Sequence, residues 1–207
     1  TPSTEETPFA SWHFASEYIM SKYISHLEVK GMVKGGLPVT MVMPGLPFGP
    51  GDRMPTPTGT MIIGALKGQM KNYWDGGVCP VDVRDVATAH SLAYEKGEIG
   101  QRYIAMNQTV SLYDMGVALS RIDPNIAKPL MKMPGFMTGM VPYIDANMAK
   151  LSGYPHSYTK ALHDSWKGRE WRIDDSASRR ALGYAPAIDL AQSLADTVEQ
   201  LRANGRL

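Results

Sequence analysis

A single cysteine, Cys79, stands in 207 residues, which excludes an internal disulfide and fits a reducing compartment. No apolar run approaches the roughly 20 residues that a membrane-spanning helix needs. No charged, apolar and small-residue succession marks a secretory leader. These absences point to a cytoplasmic protein without a transmembrane segment. Neither sign of charge dominates: 21 Lys and Arg face 20 Asp and Glu, a net charge of +1. That balance supplies no basic field for nucleic acid and no acidic tail. His13, His26, His90, His156 and His163 show no ligand spacing, and without cysteine partners they argue against a zinc site. No internal repeat or low-complexity segment interrupts the chain, and no linker divides it into independent domains.

Hydrophobic content of 43% and charged content of 20% are ordinary for a globular chain. The length suffices for one domain with a real core and a subdomain. Against this plain background one segment carries chemistry, Glu17-Tyr18-Ile19-Met20-Ser21-Lys22. Tyr18 and Lys22 stand at i and i+4, so on a helix they share a face. An ammonium beside a phenol favours the phenolate, which otherwise forms only near pH about 10. A tyrosine tuned this way trades a proton with a substrate hydroxyl or carbonyl near neutral pH. By itself the spacing is a weak signal, and Tyr18 also reads as an ordinary half-buried helix residue with Lys22 solvated beside it.

The pattern predicts a helix from about 14 to 34, then an apolar, β-branched run over Leu37–Met43 whose Val39–Met43 portion reads as a buried parallel strand. The turn Pro44-Gly45-Leu46-Pro47-Phe48-Gly49-Pro50-Gly51-Asp52 follows, at the strand end where open α/β sheets bind ligands. Thr60–Lys67 reads as a short helix and Val78–Val83 as a short strand. Asp85 is expected to cap a helix that Gly97 ends, and Gln101–Ala105 is a further strand. Ser111 caps Leu112–Arg121, and the last helix runs from about Leu190 to Ala203 with Gly205 beyond it. The methionine-rich stretch from Met131 to Met148 is broken by Lys132, Pro134, Gly139, Pro142 and Asp145; it reads as a flexible apolar wall or lid, with a membrane-surface segment as the alternative. Trp166, Trp171 and Tyr154 read as core or interface. Arg84 and Asp85 read as a packed ion pair or cap, with Arg84 alternatively facing a substrate.

Helix, strand and Pro-rich turn in this order resemble the second half of an extended short-chain dehydrogenase/reductase. Further stretches carry the likeness: Pro55-Thr56-Pro57-Thr58-Gly59, Val81-Asp82-Val83-Arg84-Asp85-Val86-Ala87, Gly100-Gln101-Arg102-Tyr103-Ile104, and Asp175 through Arg179-Arg180-Ala181-Leu182-Gly183-Tyr184-Ala185-Pro186. The chain is most similar to the dihydroflavonol-reductase-like and hopanoid-associated sugar epimerase-like branch. The resemblance implies an α/β fold: the C-terminal part of a Rossmann-like doubly wound parallel sheet plus a small, mostly helical substrate subdomain. Residues 1–110 would be the second half of the Rossmann-like domain, with a substrate loop at about 51–77, and 111–207 the substrate-binding subdomain. It also implies NAD or NADP as cofactor, the choice undetermined, and hydride transfer at a hydroxyl or carbonyl carbon. Tyr18 would be the general acid or base, and Lys22 would also bind the nicotinamide ribose. The backbone of Pro44, Gly45 and Leu46 would touch the nicotinamide carboxamide. The methionines and aromatics suggest an apolar or aromatic small-molecule substrate.

The family's other half has no counterpart here. No G-x-x-G-x-x-G occurs to hold a cofactor pyrophosphate, and the family's catalytic serine would precede Thr1–Pro8, which resembles the acidic loop following it. Ser3 lies inside that loop and is a poor substitute. The chain begins with Thr, which suggests an incomplete or processed sequence. Three readings stay open: a reductase or epimerase once the missing half is supplied, a non-catalytic structural or accessory subunit, and a split enzyme. This piece is expected to pair with a missing N-terminal half, another chain or itself.

Overall fold

The computed structural model describes residues 2–10, 12, 15–53, 56–67, 72, 73, 75–123, 131–140, 142–144, 147 and 171–206. The first helix, α1 (Glu17–Lys34), starts where Ser16 Oγ accepts the Ile19 N–H at 3.3 Å, and it ends at Gly35, whose N–H reaches the Gly31 carbonyl. Ser16 thus sets its beginning three residues later than the apolar pattern predicts. None of the eighteen residues of α1 is buried.

Strand β1 (Met41–Pro44) leads through Gly45 into β2 (Leu46–Phe48), and α2 (Pro57–Leu66) follows. Thr56 caps α2 and Pro57 occupies its first turn, so the helix opens ahead of the expected Thr60. The short strands β3 (Asn72–Tyr73), β4 (Gly77–Val78) and β5 (Pro80–Asp82) precede α3 (Val83–Lys96). The strand expected over Val78–Val83 is split at Cys79, where the chain leaves one pairing for another. After α3 come β6 (Arg102–Ala105), β7 (Val110–Ser111) and α4 (Leu112–Ile122), then β8 (Met131–Lys132) and α5 (Gly135–Thr138). Further helices are α6 (Ser176–Leu182) and α7 (Leu190–Ala203). Among the described residues β1 pairs with β6, β2 with β5 and β3 with β8, all parallel, while β4 pairs with β7 antiparallel.

One apolar cluster joins Phe48 of β2, Ile62 of α2, Met115 and Leu119 of α4, and Leu194, Val198 and Leu201 of α7. It therefore spans both sides of position 110. A second joins Ala89 and Ala93 of α3 to Tyr103 and Ala105 of β6 and to Leu182 and Tyr184. Each fully buried Leu or Val in such a cluster contributes about 1.5–3 kcal/mol. Gly183, at φ 69°, supplies the left-handed turn that ends α6 and lets Tyr184 turn back into this core.

The two outer edges of the β1–β6 pair differ. On β6, the Ile104 N–H is taken by Ser178 Oγ at 2.6 Å, and α6 covers that side. On β1, the N–H groups of Met41 and Gly45 donate to Gln101 and Ala105. Alternation along the strand then turns the N–H and carbonyl of Val42 to the opposite edge, where no described strand pairs. The strand expected as buried is in fact half-buried, and Pro44 is exposed. An uncovered edge and an α1 that buries nothing account for the difference. Among the described residues no helix is long and apolar enough to cross a membrane.

Candidate active site

Tyr18 and Lys22 lie in the first turns of α1, and the helix brings them together as the spacing predicts. Lys22 Nζ stands 5.6 Å from the centre of the Tyr18 ring. Tyr18 is 70% exposed, so its hydroxyl is free to meet a ligand. The tyrosine's own carbonyl accepts the Ser21 hydroxyl at 2.7 Å, an in-helix bond that orients nothing toward the phenol. One residue beyond Lys22, Tyr23 sits in an aromatic trio, stacked on Phe9 at 4.6 Å with Trp12 edge-on.

The turn Pro44-Gly45-Leu46 is built by close backbone approach. A Cβ at Gly45 would lie 2.3 Å from the Cys79 carbonyl oxygen, so only glycine fits. The Gly45 N–H donates to Ala105 at 2.9 Å and the Leu46 N–H to Cys79 at 2.7 Å. Both donors are thereby committed to the fold. What the turn keeps for a ligand is the Pro44 carbonyl, which the strand alternation directs to the open edge of β1. No hydrogen bond or ion pair joins this turn to Tyr18 or Lys22.

The Asp82–Asp85 segment is a structural clamp. Asp82, not Asp85, caps α3, its carboxylate accepting the Arg84 N–H at 2.8 Å. The Arg84 side chain holds both Asp82 oxygens at 2.8 Å and reaches Asp196 of α7 at 2.7 Å. Burial pushes the Asp82 carboxyl upward, but the bonds and charge of Arg84 outweigh it and hold it below the usual range. Those bonds to Asp82 and then Asp196 raise the guanidinium's affinity for its proton. Asp85, buried in the first turn, accepts the N–H groups of Ala187 and Ile188 at 3.0 and 3.1 Å. Both residues therefore fasten the C-terminal helix, and Arg84 is not turned to a substrate.

Other expected features fall out unevenly. Asp75 forms an ion pair with Lys132 at 2.8 Å, tying the 75–77 turn to the methionine-rich stretch. There Met137, Met140, Tyr143 and Ile144 are exposed. Trp171 takes the Cys79 thiol and the Thr109 hydroxyl on its carbonyl; Tyr154 and Trp166 lie outside the described residues. Sequence reasoning missed three anchors. Glu5 is buried against Ser178, and Gln200 and Arg206 hold the backbone of Gly51, Asp52 and Arg53 at the mouth of the 51–77 loop. Charged and amide side chains in loops and at a helix end carry no local sign of such distant partners. Among the described residues no group of three or more His, Cys, Asp or Glu is placed to hold a metal ion.

Residues 1–107 match the NAD dependent epimerase/dehydratase family. The chain belongs to that family. A protein of Synechocystis sp., provisionally named dihydroflavonol 4-reductase, is 31% identical over 91% of the chain. The crystal structure of gox2253 is 30% identical, with a TM-score of 0.80 over the whole chain. The dTDP-glucose 4,6-dehydratase of Bacillus anthracis, solved in complex with NAD, shares the fold at a TM-score of 0.67 and 17% identity. The chain spans 55% of the Synechocystis relative and 62% of gox2253. The family's Rossmann-like α/β fold is thus present, and the parallel pairs β1–β6 and β2–β5 are its elements here.

A dinucleotide presents a nicotinamide ribose and carboxamide at one end and a pyrophosphate in its middle. Tyr18, Lys22 and the Pro44 carbonyl are of the kinds that would meet a ribose and a carboxamide. For the pyrophosphate, no G-x-x-G-x-x-G leads into any described helix. The five longest helices each begin with a side chain already taking a first-turn N–H: Ser16, Thr56, Asp82, Ser111 and Asp189. Capping of this kind occupies donors that a pyrophosphate would use.

Proposed function

We propose that the protein carrying this chain is an NAD(P)-dependent reductase or epimerase of the extended short-chain dehydrogenase/reductase type, with Tyr18 as its general acid or base. The observation that carries the reading is the Tyr18–Lys22 pair, an exposed phenol with an ammonium beside its ring on one helix face. A bound nicotinamide supplies or accepts hydride at the carbon bearing the substrate oxygen. Tyr18 takes the proton from that oxygen in oxidation and returns it in reduction, and Lys22 supplies the positive charge next to the phenolate. Lys22 would also hold the nicotinamide ribose, and the backbone at Pro44 would meet the carboxamide. Family membership and the NAD-bound relative support the cofactor class; nothing in this chain selects between NAD and NADP.

The substrate is a small molecule with an apolar or aromatic part, facing the 51–77 loop and the exposed Met137, Met140 and Tyr143. The subdomain that receives it comprises residues 111–207, after a Rossmann-like portion over 1–110. The open edge of β1 and the uncovered α1 lie against further polypeptide, which completes the sheet. A reducing, cytoplasmic setting suits the buried free thiol of Cys79.

Tyr18→Phe in the whole protein tests the reading. The variant keeps the ring and loses the proton, so turnover should vanish while the melting temperature stays within a degree or two of wild type, about the size of a surface change. Wild-type turnover by the Phe variant at any pH would remove Tyr18 from the mechanism and favour an accessory, non-catalytic role.

A further inference from the structure

The acidic loop ahead of α1 is fixed at both ends. At its start, the Ser3 N–H donates to the Arg172 carbonyl at 2.8 Å and the Asp174 N–H returns to the Ser3 carbonyl at 2.8 Å. The next residues close into a tight turn, with the Thr7 N–H on the Thr4 carbonyl and the Thr4 N–H on Thr7 Oγ1. Inside that turn Glu5 is only 6% exposed, although glutamate is seldom buried without partners. Its Oε1 accepts the Ser178 N–H at 3.2 Å and also the Ser178 hydroxyl. That hydroxyl oxygen in turn accepts the Ile104 N–H at 2.6 Å. Ser178 has one hydroxyl proton, and it goes to Glu5 while the oxygen caps the edge of β6. An acceptor at the Glu5 position is therefore required, or two buried donors of Ser178 are left unsatisfied.

At its other end the same segment grips the helix that carries Tyr18. Phe9 stacks on Tyr23 at 4.6 Å, and Trp12 stands edge-on to both rings at 4.7 and 5.2 Å. Because α1 buries none of its own residues, few other contacts set its angle. His26 against Arg102 and Val33 against Gly100 hold its far half. Among the described residues, the aromatic grip is the contact that acts near Tyr18 and Lys22.

We propose that residues 2–10 and Trp12 form a strap that sets the angle of α1 against α6, and that Glu5 is the positioning residue that locks it. Glu5 touches no substrate; it acts on Tyr18 through the turn, Phe9, Trp12 and Tyr23. This rests on Tyr18 being the acid or base, as proposed above.

The test compares Glu5→Gln, which keeps an acceptor at full reach, with Glu5→Asp, which keeps the carboxyl one methylene short. Both are made in the whole natural protein beside Tyr18→Phe. The Gln variant should keep wild-type kcat. The Asp variant should lose about tenfold in kcat with KM much less changed, since a small misplacement of a reacting group acts on the chemical step. Amide exchange over residues 17–22 should quicken in the Asp variant and not in the Gln variant. Equal damage in both variants would overturn the acceptor role, and unchanged exchange at 17–22 in the Asp variant would overturn the strap. An Asp variant that melts lower yet keeps kcat below its melting temperature would reduce Glu5 to a structural residue. If Tyr18→Phe leaves turnover intact, the functional reading fails by itself, and the exchange data alone decide whether the strap exists.

Discussion

At the residue scale, Asp85 and His26 show how a single side chain sets a measurable property. Asp85 carries two N–H groups of the segment that leads into α7, and it is buried. Asp85→Ala should cost about 2 kcal/mol or more in urea unfolding, because both donors lose their acceptor. Asp85→Asn retains one carbonyl acceptor and should cost roughly half as much. His26 accepts from Arg102 across 3.4 Å, which only the neutral ring can do. Burial first, then Arg102 and Lys30, hold its pKa below the ordinary histidine value. The unfolded chain therefore binds a proton more readily, so stability should be full above pH about 6.5 and fall as pH drops from there toward the folded pKa. His26→Gln should flatten that slope. A wild-type melting temperature that does not change between pH 7.5 and 5.5 relative to the Gln variant would refute the contact. Asp82 and Asp85 also show where residue-level reading stops. Two aspartates three positions apart flank the helix start, and either makes a plausible cap. The β-branched Val81 and Val83 favour strand on both sides of Asp82. Only the return of residues 187 and 188, far along the chain, draws Asp85 away from the cap position.

At the element scale, the parts legible in sequence were those whose signals are local. Ser111 before Leu112 and Gly205 beyond Ala203 mark helix ends through capping chemistry, and the helices stand where those residues place them. The i, i+4 spacing brought Tyr18 and Lys22 together for the same reason. Strand ends and burial were less legible, because they depend on which neighbour pairs and which face is covered. Cys79 breaks one expected strand into two only because β4 meets β7 while β5 meets β2. Glu5 gave no signal, since its partner lies 173 positions away. Two element-scale outcomes follow. Gly45→Ala forces a Cβ against the Cys79 carbonyl and should cost about 1–3 kcal/mol, with the β1–β2 turn displaced. With its five longest helix starts already capped, the 207-residue chain should show no saturable NAD(P)H binding in the micromolar range by calorimetry. Micromolar binding would require a phosphate seat outside those helix starts.

At the scale of the whole molecule, the β1–β6 pair sits with one edge finished and one unfinished. Ser178 and α6 close the β6 side, as soluble proteins close an edge they intend to expose. The β1 side presents the N–H and carbonyl of Val42 with nothing described against them, and on α1 Ile24, Leu27 and Met32 are about half exposed. An edge of this kind recruits other chains, and a helix with that much open apolar surface adds to the pull. Residues 1–207 expressed alone should therefore associate, with a solution mass above 22.7 kDa that rises with concentration. Amide exchange locates the cause. The Met41 and Gly45 amides, bonded to Gln101 and Ala105, should be protected in any folded form. Val42 should exchange quickly in the chain alone at low concentration, and slowly in the whole protein, where the proposed further strand would lie beside it. A monodisperse monomer in which Val42 is as protected as Met41 would show that the edge is already covered, and the pairing with further polypeptide would fall.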